Sequence, residues 1–194
     1  NAVISVDSVM KTDDGHYLHI GTVDRGTIRK GDSVTARIDV SKRQSVMKNH
    51  TAAHILQAAL RELLGEHVHQ AGQLVSSDRC RFDFSHFSAL TSEELSAVEN
   101  RVNEIILSSI CVQTQEMPIE EARKLGAMAL FGEKYGDIVR VVKAGDFSVE
   151  FCGGTHLSRT GQAGSFVILS EGGVAAGVRR IAAATGWHAS EVMA

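Results

Sequence analysis

Two histidines four residues apart are the first feature of this sequence that could do chemistry. His50 and His54 lie in a run whose apolar residues recur at helical spacing. Four residues of helix advance the chain by about 400°, so both imidazoles lie on one helix face and could bind one metal ion. Thr51 stands where a zinc metalloprotease carries its general-base glutamate, which argues against that class. The spacing alone is a weak signal, because helices carry such pairs by chance.

A cysteine and a histidine are also four residues apart, in a distant part of the chain. Cys152 and His156 enclose Gly153 and Gly154. The two glycines relieve steric limits on the backbone, so a turn could bring the thiol and the imidazole together. Considered alone, this motif favours a buried free cysteine beside a surface histidine.

Together the two pairs supply three imidazoles and one thiolate, a complete ligand set for tetrahedral zinc. One ligand pair from a helix and one from a turn are a common way to assemble such a site, so the combination favours zinc. Signatures of other chemistries are absent from the sequence: there is no GxSxG, no phosphate-binding GxxxxGK[ST], no GxGxxG and no H-x-E with CxxC. Nucleotide binding and nucleobase deamination therefore lack their usual motifs.

The composition limits the class of protein that carries this site. The 194 residues include 20 Lys and Arg against 23 Asp and Glu, a net charge of −3. That balance argues against nucleic-acid binding by bulk electrostatics and leaves only local basic patches. No apolar run approaches the roughly 18 residues of a membrane span. Three cysteines without a CxxC cannot pair completely, which indicates a reducing compartment, and we expect a cytoplasmic location.

Hydrophobic periodicity predicts the elements that must position these residues. The pattern indicates an α+β fold, with helices packed on a largely antiparallel sheet. A partial β-barrel or hairpin segment is predicted over residues 1–42 and a zinc-containing core over residues 43–194. Because the chain lacks a starting Met and opens in strand-like sequence, we expect a fragment of a longer protein. Helices are predicted over 46–64, 91–109 and 118–125, and strands over 17–20, 33–39, 79–84, 112–117, 138–143, 148–151, 165–169 and 178–183.

Longer motifs around these residues resemble the editing domain of alanyl-tRNA synthetase. Free-standing alanyl-tRNA editing proteins and the threonyl-tRNA synthetase editing domain are more distant relatives. The resemblance covers nearly the whole chain, and residues 1–40 resemble the end of the small barrel that precedes the editing core. The motifs that carry it, in the family's order, are residues 49–56, 67–70, 81–86, 129–137, 152–156 and 177–181.

The resemblance implies hydrolytic removal of serine or glycine from mischarged tRNA(Ala), with zinc as the cofactor and tRNA(Ala) as the partner. A full synthetase fragment and a shorter free-standing deacylase both fit this length. A zinc-stabilised tRNA-binding module without catalysis and a zinc hydrolase of small esters or amides are the rivals. The zinc could activate water or only position the substrate. In the family, zinc is held at the positions that match His50, His54, Cys152 and His156.

The resemblance also suggests which residues contact the substrate. A site that accepts serine and rejects alanine needs a polar group facing the serine hydroxyl, and Gln70, which matches a family pocket residue, or Thr51 could supply it. The phosphates at the tRNA 3′ end require local positive charge, for which a glycine-flanked Arg-Arg pair is the best candidate; Lys42, Arg43 and Lys48 are the alternative. The nominated substrate contacts are Thr51, Gln70, Gly153, Gly154, Arg179 and Arg180.

Overall fold

The computed structural model describes residues 2–128 and 135–194. It contains two compact units, one up to Ile38 and a second from Asp39 to Ala194. In chain order, the elements are β1 (Val3–Lys11), β2 (Tyr17–Arg25), α1 (Val40–Leu64), β3 (Gln70–Val75), β4 (Cys80–Ser85), α2 (Ser92–Leu107), β5 (Val112–Pro118), α3 (Ile119–Lys124), β6 (Ile138–Ala144), β7 (Ser148–Phe151), β8 (Phe166–Ala175), β9 (Val178–Thr185) and α4 (Gly186–Met193).

The first unit is built around an antiparallel hairpin of β1 and β2. The strand predicted over residues 33–39 is wrong, because this segment has no regular structure. Alternating residues become a strand only where a partner strand accepts their backbone hydrogen bonds. In the described part of this unit, β1 and β2 pair with each other and with no third strand, and no closed barrel forms.

The long helix α1 is the centre of the second unit. Asp39 caps its start by accepting a hydrogen bond from the Lys42 backbone N–H at 2.9 Å, so the helix begins before the predicted residue 46. Gly65 ends it as predicted, donating its N–H to the Arg61 carbonyl. Between Asn49 and Leu60 every residue except the half-buried His50 is buried, which carries His54 into the interior.

Two antiparallel sheets surround this helix. The larger has the strand order β3-β4-β9-β8, and α1 and α2 pack against its apolar face through Phe82, Phe84 and Ile181. The smaller has the order β5-β6-β7, and α3 packs beside it. The α+β class and the antiparallel pairing are therefore confirmed, with the strands of this unit divided between two sheets. Within the described ranges, no helix is long and apolar enough to cross a membrane.

Most predicted elements of the second unit are present. The helix predicted from Thr91 begins with a complete capping box, in which the Thr91 hydroxyl accepts from the Glu94 N–H and the Glu94 carboxylate accepts from the Thr91 N–H. Strand β3 and helix α4 were not predicted. Of the family-like motif at residues 129–137, positions 129–134 lie outside the described residues.

Candidate metal centre and substrate cavity

The four predicted zinc ligands converge in the second unit. His50 and His54 project from α1, and the loop after β7 brings Cys152 and His156 to them, with all four ligand atoms within 4.8 Å of one another. The Cys152 Sγ lies 3.5 Å from His50 Nε2 and 3.3 Å from His156 Nε2. Zinc bonds of about 2.3 Å to sulfur and 2.0 Å to nitrogen place tetrahedral ligands about 3.3–3.6 Å apart. The donor set and the two distances from Cys152 Sγ therefore fit a tetrahedral zinc ion.

The loop that carries Cys152 and His156 is held by an arginine from the neighbouring strand. Arg140 Nη1 donates to the Cys152 carbonyl at 2.6 Å and to the Gly154 carbonyl at 2.7 Å. The Gly154 N–H points to the Cys152 sulfur at 3.3 Å. These contacts fix the thiol toward α1 before any metal arrives.

The two glycines of this loop have different surroundings. A Cβ added to Gly154 would lie only 2.1 Å from His50 Cε1, whereas a Cβ on Gly153 would have no neighbour within 4 Å. Gly154 is therefore required for the close approach of the loop to the His50 ring. Gly153 lines the cavity described below, as a substrate contact would require.

Thr51 lies behind the metal centre. Its hydroxyl accepts a hydrogen bond from the Leu157 N–H at 3.1 Å and is 3.2 Å from His156 Nδ1. A hydrogen bond to the second ring nitrogen fixes the orientation of a ligating histidine, so Thr51 holds His156 with its Nε2 toward the centre. The structure does not bring Thr51 to the cavity wall.

The electrostatics of the centre favour neutral imidazoles. Burial lowers the pKa of His50, lowers that of His54 well below its usual value, and lowers that of His156 to about 3, and the neighbouring histidines add to the last two effects. Burial also raises the pKa of the Cys152 thiol, which the Gly154 N–H partly offsets. Neutral imidazoles have the free lone pairs that a metal requires, and zinc binding would release the thiol proton.

A cavity of about 420 Å³ opens beside this centre. His50, His54 and Cys152 form part of its wall, and the amides of Gln70 and Gln73 project from β3. The end of β7 completes it, together with Tyr135, Gly136, Ile138, Val139 and Arg140. Gln70 therefore lies in the wall of a cavity whose volume is within the usual range of about 300–1,000 Å³ for small-molecule sites.

Two charged residues at this site were missed by sequence reasoning. Glu150 is buried, its Oε2 lies 3.5 Å from His54 Nε2, and burial raises its pKa to about 8 although the Ser148 hydroxyl donates to it. Arg140 is the residue whose guanidinium holds the loop of Cys152 and His156, as described above. Glu150 is the one charged residue of β7, and Arg140 interrupts the apolar residues 138–142 of β6. A charge between apolar strand residues is the signal that could have identified both.

Arg179 and Arg180 lie away from the cavity wall, and each is paired with a carboxylate. Arg179 donates through Nε and Nη2 to Glu171 at 2.6 and 2.8 Å, and Arg180 donates through the same atoms to Asp83 at 2.7 Å each. Two of the donors on each guanidinium are therefore already used within the protein.

Comparison with known proteins agrees with the motifs. The model of the threonyl and alanyl tRNA synthetase second additional domain matches residues 139–182. The alanine–tRNA ligase of Acetivibrio thermocellus is 60% identical over 185 residues, which is 95% of this chain and 21% of the relative. The Bacillus velezensis enzyme is 55% identical over 192 residues, 99% of this chain and 22% of the relative. The chain thus spans about a fifth of the length of these relatives, and over nearly all of its own length it matches a fragment of alanine–tRNA ligases.

Proposed function

We propose that this chain hydrolyses the ester bond of tRNA(Ala) that carries serine or glycine, as the zinc-dependent editing domain of an alanyl-tRNA synthetase. The observation that carries the proposal is the zinc-type ligand set in the wall of a cavity that also presents two amide side chains. A synthetic site sized for alanine cannot reject glycine strongly, because one methyl group supplies only about 1–3 kcal/mol of discrimination. A second, hydrolytic site restores accuracy.

The residues of the cavity have separable tasks in this proposal. His50, His54, Cys152 and His156 would hold the zinc ion, which would supply Lewis acidity or a fixed point for positioning the ester. The Gln70 amide would orient the aminoacyl group. The apolar side chains of Val139 and Phe151 border the same space and would limit the entry of bulk water.

Contact with the tRNA phosphates is the part of the sequence prediction that the geometry favours least. Glu171 pairs with Arg179, and Asp83, which also lies 3.7 Å from Arg81 Nε, pairs with Arg180, so two of the five donors on each guanidinium are committed to a carboxylate before any phosphate binds. We therefore expect Arg179→Ala and Arg180→Ala to leave the salt dependence of tRNA binding nearly unchanged. If the slope of log affinity against log salt concentration fell by about one unit in a variant, that arginine would instead contact a phosphate.

Single-turnover deacylation tests the proposed activity. The zinc-loaded chain should release serine from Ser-tRNA(Ala), and glycine from Gly-tRNA(Ala), faster than the spontaneous reaction. Cys152→Ala and the chelator-treated chain should lose this acceleration, and Cys111→Ala, at an exposed cysteine, is the matched control. The reaction would take place in the cytoplasm, where charged tRNA is used.

The same assay separates the rival functions. A non-catalytic tRNA-binding module would bind charged tRNA without accelerating the loss of serine. A zinc hydrolase of small esters would cleave a seryl ester of adenosine as well as the full tRNA. Either result would contradict the proposal.

A further inference from the structure

A bulge in β3 places two glutamines on the same side of the sheet. Gln70 and Gln73 are three residues apart, a spacing that puts side chains on opposite faces of a regular strand. The register shifts between Gln70 and Gly72, so that Gln70 lies opposite Phe84 and Gln73 lies opposite Phe82. These two phenylalanines are on one face of β4, so both glutamines share it, and both line the cavity. Bulges beside functional sites commonly redirect a side chain in this way.

The amide of Gln73 has an unused donor. Its Nε2 is buried and has no hydrogen-bond partner within the described ranges, although the side chain borders the cavity. An amide nitrogen carries two N–H donors and no acceptor. A buried donor without a partner destabilises the protein, so this atom is suited to a ligand that brings an acceptor.

The chemistry of the proposed substrates narrows the choice of acceptor. The α-ammonium group only donates, whereas the ester carbonyl and the serine hydroxyl accept. The carbonyl is common to seryl, glycyl and alanyl esters and cannot distinguish them. A hydroxyl group both donates and accepts, so it can pair with the Gln73 amide in either orientation of that amide.

We propose that Gln73 determines specificity by donating from Nε2 to the hydroxyl of a seryl ester in this cavity. The inference rests on the proposed editing function and deepens it. Alanyl and glycyl esters have no hydroxyl and would leave the donor unpaired, so this contact favours the seryl ester over both by about the tenfold that one hydrogen bond supplies. Gln70 orients the aminoacyl group of the substrate, whereas Gln73 recognises the side chain of the amino acid in that group.

Gln73→Met tests this assignment, because it keeps a side chain of similar length and removes the donor. The variant should lower kcat/KM for Ser-tRNA(Ala) by about tenfold, as expected for the loss of one hydrogen bond, and change that for Gly-tRNA(Ala) less than twofold. Its melting temperature should not fall, since the lost donor has no partner in the folded chain. The control is Gln113→Met, the same change at an exposed position on β5.

Two kinetic outcomes would overturn the assignment. Equal losses of kcat/KM with seryl and glycyl substrates would show that the Gln73 amide donates to an atom that both esters share. Unchanged rates with Ser-tRNA(Ala) would show that Gln73 makes no contact with the substrate.

A binding measurement keeps the test independent of catalysis. Calorimetry would compare 3′-seryl and 3′-alanyl amides of 3′-amino-3′-deoxyadenosine, which cannot be hydrolysed readily. The parent chain should bind the seryl amide about tenfold more tightly, and Gln73→Met should remove the preference. A preference that is absent in the parent or unchanged in the variant would refute the assignment, while failure of deacylation alone would refute only the proposed activity.

Discussion

Replacing Gly154 by alanine should break the metal centre through a single added carbon. That Cβ would lie 2.1 Å from Cε1 and 2.6 Å from Nδ1 of His50. Ordinary carbon contacts begin near 3.5 Å, so the ring or the loop must move by about 1.4 Å. Arg140 holds the Gly154 carbonyl, so the half-buried His50 ring, which borders the cavity, is the part that must shift. Metal–ligand distances tolerate only about 0.2 Å, so His50 should be lost as a ligand.

The expected loss of zinc affinity is at least about 100-fold, because changes to residues that merely orient ligands already cost about 10–100-fold. Competition against a chromogenic chelator measures this affinity. Gly153→Ala is the matched control, since its Cβ would have no neighbour within 4 Å and neither glycine has a positive φ. Equal zinc affinities for the two variants would refute the proposed packing of this loop on His50.

Three further predictions concern the same cavity. Arg140→Met removes both hydrogen bonds to the ligand loop and should weaken zinc binding by about 10–100-fold in the same competition assay; unchanged affinity would mean that the loop holds its shape without the clamp. Gln70→His should slow Ser-tRNA(Ala) deacylation while leaving the melting curve unchanged, and unaltered seryl and glycyl rates would remove Gln70 from the site. In alkylation followed by mass spectrometry, the exposed Cys111 should react first. Zinc should protect Cys152, and Cys80, whose pKa burial raises to about 12, should react only after unfolding. Alkylation of Cys152 at the same rate with and without zinc would contradict its role as a ligand.

Local patterns in the sequence were sufficient to predict the central helix and the four residues that the fold brings into one His/Cys cluster. His50 and His54 share a helix face because the helical period is a property of the local backbone. The element boundaries at Thr91 and Gly65 follow from capping chemistry that acts within a few residues. The strand expected at residues 33–39 failed because strand formation depends on a partner, which alternation along one segment cannot reveal.

The partners of each site residue were decided only by the tertiary structure. Thr51 faces His156 across 105 positions of the chain, and Arg180 is paired with Asp83 at a separation of 97. The sequence presents Thr51 as a candidate substrate contact and Arg180 as a candidate phosphate ligand, and nothing near either residue indicates its partner. Gln73 shares a wall with Gln70 because the pairing of β3 with β4 introduces a bulge. Side-chain types and helical spacing are local properties, whereas burial, ion pairing and strand register arise from contacts between distant segments, and these contacts determine which residues are left free to bind a substrate.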